Sequence, residues 1–269
     1  MSVQRRFGLF ILGDEILSGK RQDRHFEQVR SIFGVRGLSL SWVQYLGDDA
    51  ERCRQAFQNS FASDDVVFSC GGIGSTPDDH TRQAAAKALG LPLVLHPQAE
   101  QLIRERAQDT NQQATPERLQ MGEFPAGAAI IPNSFNKIPG FSIREHYFLP
   151  GFPVMAWPMI EWVLETHYQQ YFRKFAEFDR SMVVVRLFEA AVTPLMQSLS
   201  QKYPDLKIYS LPSAGDDGRA KHVELGFKAL SQGADQQTAP AILQTAYQEF
   251  KAGVLALGGE ITEERQSAR

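Results

Sequence analysis

The sequence predicts an α/β fold: a three-layer, doubly wound, mostly parallel sheet, followed by a second, small α+β domain. Three observations predict it. Over the first two thirds of the 269 residues, apolar strand-like runs alternate with helical patterns. One of these runs, Val66–Cys70, is apolar without interruption, as in a strand covered on both faces. Beyond Arg173–Arg180, a charged stretch read as a linker, the order changes to strand, helix, two strands and helix. The expected domains are residues 1–175 and 181–260.

Taken in order, Phe7–Gly13 reads as the first strand and Phe26–Phe33 has helical spacing. Leu38–Leu46 alternates like a strand, and Asp48 or Asp49 is placed to cap a helix through Phe61. After Val66–Cys70 comes a glycine-rich turn, then an alanine-rich helix over Arg82–Leu89 that Gly90 terminates. A polar helix covers Gln98 to about Gln113, and Ala128–Ile131 is expected to pair with Ile143–Leu149. Pro153 opens a long amphipathic helix. In the second domain, Met182–Leu187, Lys207–Leu211 and His222–Phe227 read as strands, Ala191–Lys202 and Ala239–Lys251 as helices, and Glu260–Arg269 as a frayed tail.

Composition excludes several classes of function. A net charge of −3, from 28 basic and 31 acidic side chains, gives no long-range attraction to nucleic acid or to an anionic membrane. No run is long and apolar enough to span a bilayer, and Phe7–Leu12 is too short for a secretion signal core, so a cytoplasmic location is expected. The two cysteines, Cys53 and Cys70, sit in apolar contexts and read as small buried hydrophobes. No zinc, haem or flavin site is expected. A homo-oligomer, dimer or trimer, is.

The segment that carries chemistry is Gly71-Gly72-Ile73-Gly74-Ser75-Thr76-Pro77-Asp78-Asp79-His80-Thr81, between a strand and a helix. Glycines accept positive φ and lack a Cβ, so backbone amides there can converge on an anion. A following helix start adds the positive end of its dipole, and Ser75 and Thr76 add hydroxyl donors. Asp78 and Asp79 would repel a bare phosphate, which points to a divalent cation such as Mg²⁺ bridging carboxylate and phosphate. The competing reading is a turn in which one aspartate caps the helix. A second acidic turn, Gly13-Asp14-Glu15, follows the first strand. In a 2-1-3 strand order both turns meet at the topological switch point, where open sheets bind ligands. Asp14 and Asp79, or Asp78, would then share one metal.

Together with Gly13–Gly19, these segments and three others, Gly47-Asp48-Asp49, Pro139-Gly140 and Pro150-Gly151-Phe152-Pro153, resemble the molybdopterin-binding (MoaB/MogA-like) domain family, nearest in form to competence/damage-inducible protein A (CinA). The resemblance runs from about residue 7 to 170, and the remainder resembles that family's small KH-like middle domain. The deamidase domain of longer CinA proteins is not expected here. The resemblance implies a nucleotide or pterin phosphate as ligand, with a divalent metal. It carries binding roles to Asp14, Gly72, Gly74, Thr76, Asp78 and Asp79.

The expected site is therefore Asp14, Asp78 and Asp79 as catalytic groups, with Asp14 and Asp79 on the metal. Gly13, Glu15, Gly71, Gly72, Ile73, Gly74, Ser75, Thr76, Thr81 and Lys137 are the expected ligand contacts. Four departures from the family pattern stand out: Ser75 for proline, Asp23-Arg24-His25 for Asp-Thr-Asn, Asn136-Lys137-Ile138 for Gly-Thr-Ala, and Met155 for glutamate.

Weaker candidates have structural readings. His25 reads as a packed helix-start histidine, and the Met155, Trp157 and Met159 cluster as helix core or subunit interface. Gly215-Asp216-Asp217-Gly218 has the spacing of a KH-type loop, but its acidic centre would repel a nucleic-acid backbone, and it reads as a turn. Three functions follow: a metal-dependent pyrophosphatase for ADP-ribose-like nucleotides, a pterin-binding or adenylyl-transferring protein of molybdenum cofactor synthesis, or a non-catalytic nucleotide-binding or scaffold protein.

Overall fold

The computed structural model describes residues 5–173, 175–215, 221–232 and 235–268. The chain divides into two compact units between Phe172 and Arg173.

In the first unit, β1 (Phe7–Leu12) is followed by a short α1 (Asp14–Leu17), α2 (His25–Gly34), β2 (Trp42–Leu46) and α3 (Ala50–Phe61). Then come β3 (Val66–Cys70), α4 (Thr81–Leu89), β4 (Leu93–Leu95), α5 (Pro97–Asp109), α6 (Pro116–Gln120) and β5 (Glu123–Pro125). The unit ends with β6 (Ala129–Ile131), β7 (Gly140–Ile143), β8 (His146–Leu149) and α7 (Pro153–His167). The main sheet has the order β2-β1-β3-β8-β7-β6. Its first four strands run parallel, and β7 and β6 add antiparallel pairs.

Side chains alternate across each strand, so β1 serves two cores. Phe7, Leu9 and Ile11 pack with Val29 and Phe33 of α2 and Met159 and Val163 of α7. Phe10 and Leu12 face the other way, onto Cys53 and Phe57 of α3 and Ala84 of α4. Every residue of β3 is buried, which explains its unbroken apolar run. Both cysteines are buried and free. Gly90 ends α4 in the left-handed region at φ 66°, as its position in the sequence predicts.

One expected pairing is wrong. Arg144, at φ 53°, sits in the turn of a hairpin between β7 and β8, so the stretch Ile143–Leu149 is not one strand. The partner of Ala129–Ile131 is therefore β7, and β8 lies between β7 and β3.

The second unit comprises β9 (Phe175–Val185), α8 (Glu189–Lys202), β10 (Leu206–Ser213), β11 (His222–Gln232), α9 (Asp235–Ala256) and β12 (Glu260–Ala268). Its antiparallel sheet has the order β10-β11-β9-β12. Leu225 and Phe227 of β11 pack on Leu199 of α8 and on Tyr247 and Phe250 of α9. From Phe175 on, the charged stretch read as a linker belongs to β9, and residues 260–268 of the expected frayed tail form β12, paired along β9. Asp216, Asp217 and Gly218 of the expected turn lie outside the described residues. Among the described residues, no helix is long and apolar enough to cross a membrane.

Candidate functional site

The parallel order places the loops after β1, β2 and β3 side by side at one end of the sheet, where doubly wound folds bind ligands. A cleft of about 420 Å³ opens there. Its lining includes Gly13, Glu15, Asp48 and residues 71–76, 78 and 79, with Arg21, Met121, Asn133, Asn136, Phe152 and Met155 completing the walls. That volume suits a small-molecule site.

The glycine-rich turn is held from behind. Thr81 is 2% exposed; its hydroxyl donates to the Gly71 carbonyl at 3.0 Å and its amide to the Gly72 carbonyl at 3.0 Å. Arg82, also 2% exposed, donates from Nη2 to the Gly74 carbonyl at 2.5 Å and from Nη1 to the Gln120 carbonyl. In a trans peptide the C=O and the next N–H point in opposite directions, and the chain has no cis bond among its described residues. Three carbonyls drawn toward α4 therefore turn the amides of Gly72, Ile73 and Ser75 away from it. Among the described residues, the amides of Gly72, Ile73, Gly74 and Ser75 have no hydrogen-bond acceptor. Unpaired donors that converge on a cleft are what an anion site requires.

Gly72 is obligatory in this arrangement. It sits at φ 68°, and a Cβ there would lie 2.2 Å from the Thr81 hydroxyl. Ile73 contributes only its backbone, since its side chain is buried in the core.

The carboxylates are arranged differently from expectation. Asp14 does not line the cleft. Its amide donates to Asp48 Oδ2 at 2.9 Å, and its own Oδ1 accepts the Asp48 amide at 3.2 Å, lacing the first two loops together. Gly47 leaves room for this, because a Cβ there would lie 2.3 Å from Asp14 Oδ1. Asp48 takes the wall position, and Asp49 alone caps α3, accepting from the Arg52 amide at 2.8 Å. Burial pushes the Asp48 carboxyl up, the amide of Asp14 opposes this, and the charges of Asp14, Glu15 and Asp78 push it further up.

On the third loop, Asp79 Oδ2 accepts from the Thr76 amide at 2.8 Å and hydroxyl at 2.5 Å. The Asp78 carboxyl is held below the usual carboxylate range by the neighbouring Thr76 side chain, its own backbone amide and the nearby His80. Among the described residues, no three His, Cys, Asp or Glu side chains form a metal cage. Crowded carboxylates beside unpaired amides fit a cation that draws its remaining ligands from phosphate and water, as Mg²⁺ commonly does.

Two other expected contacts lie elsewhere. Lys137 is outside the cleft and pairs with Asp109 at 2.7 Å. Thr81 is spent on Gly71 and Gly72. His25 is buried and tied through Nε2 to the Gly151 carbonyl at 3.0 Å, so it positions the loop after β8. Met155, expected in core or interface, packs against the core and also lines the cleft. Sequence reasoning missed Asp48 and Arg82. The signal for Asp48 was present in Gly47-Asp48-Asp49, which follows the strand beside β1; Arg82 gave none, being one basic residue at a helix start.

Comparison with known proteins identifies the family and the fold. A CinA-like protein of Anaeromyxobacter sp. (strain Fw109-5) is 28% identical over 224 residues, which cover 81% of this chain and 50% of that protein. The chain thus spans about half the length of that relative. A protein of Aeropyrum pernix is 26% identical over 268 residues, covering 98% of this chain and 99% of its own. The crystal structure of CinA from Thermoplasma acidophilum, described there as of unknown function, is 25% identical and has a TM-score of 0.54, covering 60% of this chain and 96% of that one. Residues 8–170 match the family model described as "Probable molybdopterin binding domain". With more than half of its length matched, the chain belongs to the molybdopterin-binding domain family.

Proposed function

We propose that the chain binds a phosphorylated nucleotide or pterin together with a divalent cation, and hydrolyses the pyrophosphate bridge of an ADP-ribose-like nucleotide. The observation that carries this reading is the run of unpaired amides at residues 72–75, of which those of Gly72, Ile73 and Ser75 are turned away from Thr81 and Arg82, in a loop that shares the cleft with Asp48, Asp78 and Asp79. The amides hold the phosphate oxygens, and Thr76 fixes Asp79 through Oδ2 while leaving Oδ1 without a donor among the described residues. A bound cation would neutralise phosphate charge and so favour departure of the leaving phosphate. Water adds to one phosphorus as the P–O–P bridge breaks, giving AMP and ribose 5-phosphate.

The test is chromatography of AMP released from ADP-ribose with and without Mg²⁺. Wild-type protein is expected to release AMP only with the metal, and Asp48→Asn and Asp79→Asn to release at least tenfold less. Metal-dependent turnover that survives both substitutions contradicts the assignment.

A second reading, binding without turnover, is favoured by Met155. Its thioether occupies a cleft position where the resemblance implies a glutamate. Binding of ADP-ribose by wild-type protein with no AMP released selects this reading.

A further inference from the structure

Asn136 is held in one orientation. Its Oδ1 accepts from the Ile138 amide at 3.0 Å and from Asn133 Nδ2 at 2.8 Å. The backbone amide is a donor in any protonation state, so the accepting atom is the oxygen, and the NH₂ group is fixed on the other side. Asn133, 6% exposed, is itself anchored through Nδ2 to the Ile138 carbonyl at 3.0 Å and through Oδ1 to the Phe135 amide at 3.0 Å. The carboxamide is thus braced by a buried neighbour and cannot turn without breaking two bonds.

The two protons on Asn136 Nδ2 have a single recorded partner among the described residues, the Met155 sulfur at 3.5 Å. A thioether is a weak acceptor, easily exchanged for a better one. Both side chains line the cleft that holds the amide cluster. Phe152, 56% exposed, lines it too and brings an aromatic ring to the same cleft. A rigid donor with a poor partner, beside an exposed ring and in one cleft with an anion site, matches a ligand with a phosphate at one end and a flat heteroaromatic ring at the other.

We infer that Asn136 is the residue that selects the ring: its Nδ2 donates to a ring nitrogen or exocyclic oxygen of a purine- or pterin-type diphosphate, replacing the contact to Met155. This rests on the anion-site reading above and adds the residue that reads the ring. Purine and pterin share that acceptor edge, and the probes distinguish them.

The experiment is calorimetric titration of the full chain, with Mg²⁺, using inorganic pyrophosphate, ADP, GDP and a pterin diphosphate. In the wild type, at least one ring-bearing ligand is expected to bind ten or more times tighter than pyrophosphate. The ring-bearing ligand with the largest advantage identifies the source. Asn136→Asp keeps the oxygen that Ile138 and Asn133 need but replaces the donor with an acceptor. Its added charge weakens all diphosphates alike, so the affinity ratio is the readout, and the ring advantage is expected to fall below threefold. Met155→Gln, which is neutral, gives Asn136 a strong internal acceptor and is expected to lower the same ratio, whereas Met155→Leu leaves it intact. Melting curves establish that each variant folds, and Met155→Gln decides the matter if Asn136→Asp does not. An undiminished ring advantage in the folded variants, or pyrophosphate binding as tightly as every ring-bearing ligand, overturns the inference. Absence of pyrophosphate binding in the wild type overturns the anion-site reading itself, and this inference with it.

Discussion

Replacing Arg82 by methionine separates two roles that the structure gives this side chain. The guanidinium supplies hydrogen bonds to the carbonyls of Gly74 and Gln120, and burial pulls its pKa down despite the nearby charges of Asp79 and Glu123. Each bond from a charged donor is worth about 1.5–3 kcal/mol, and leaving a carbonyl without a donor costs about 1–3 kcal/mol. Against this, methionine retains the apolar stem and removes a desolvated charge whose penalty is on the order of several kcal/mol. The net destabilisation expected is about 1–3 kcal/mol. At roughly 2–4 °C per kcal/mol for a unit of this size, the melting temperature falls by about 2–12 °C.

The effect on binding is separate. Without Arg82 the Gly74 carbonyl is free to swing, and the Ser75 amide on the same peptide swings with it. Losing one amide–phosphate bond of about 1.4–2.8 kcal/mol raises the Kd for ADP about 10- to 100-fold. Arg82→Lys keeps the charge but not both prongs, and is expected to fall between wild type and Arg82→Met. Calorimetry with ADP, beside thermal melts without ligand, measures the two effects. A folded Arg82→Met whose Kd stays within twofold of wild type refutes the claim that this residue orients the loop.

Two further predictions concern the same domain. Ser60 donates its hydroxyl proton to the Phe57 carbonyl at 3.0 Å, so it must accept from His146 Nε2 at 2.8 Å, leaving Nδ1 bare and the ring neutral. Burial, reinforced by the Arg144 charge, pushes the His146 pKa down to about 3, against about 6.5 in an unfolded chain. Between those values the unfolded chain binds the proton and the folded chain does not, so stability falls as pH drops below about 6.5 and levels off near 3, with about 2 kcal/mol lost by pH 5. Urea unfolding at pH 7 and pH 5 should show this loss in wild type and not in His146→Phe. Gly72→Ala forces a left-handed alanine, costing about 1–2 kcal/mol, and displaces the Thr81 hydroxyl, a bond of about 1 kcal/mol. A melting temperature lower by about 4–12 °C and at least tenfold weaker ADP binding are expected, and wild-type values for both would contradict the loop geometry.

What was legible in the sequence is what local chemistry decides. β1 and β3 announce themselves as apolar runs, Asp49 caps where a cap is needed, and Gly90 stops α4 where only glycine is comfortable. The glycine-rich turn is legible as a loop between β3 and α4, with Gly71 and Gly72 at positive φ, because its lack of side chains is itself the signal. The misses depend on partners distant in sequence. Lys137 is claimed by Asp109, and Arg82 by Gln120, 38 residues away. Asp48 passes for a helix cap until the neighbouring strand brings Asp14 against it.

The second unit shows why polar strands are missed. Along β9, Glu177, Asp179 and Arg180 break the apolar pattern, while the apolar core residues Met182 and Val184 come only in its second half. β12, Glu260–Ala268, is an edge strand that among the described residues pairs only with β9 and is exposed along most of its length. Such a sequence carries no hydrophobic period to read.

The account depends on main-chain donors, and a ¹H–¹⁵N spectrum observes them one by one. On titration with ADP and Mg²⁺, the amide resonances of Gly72, Ile73 and Ser75 are expected to move downfield, in saturable fashion and with one shared Kd. ADP binding that leaves those three signals in place, while resonances elsewhere shift, would contradict it.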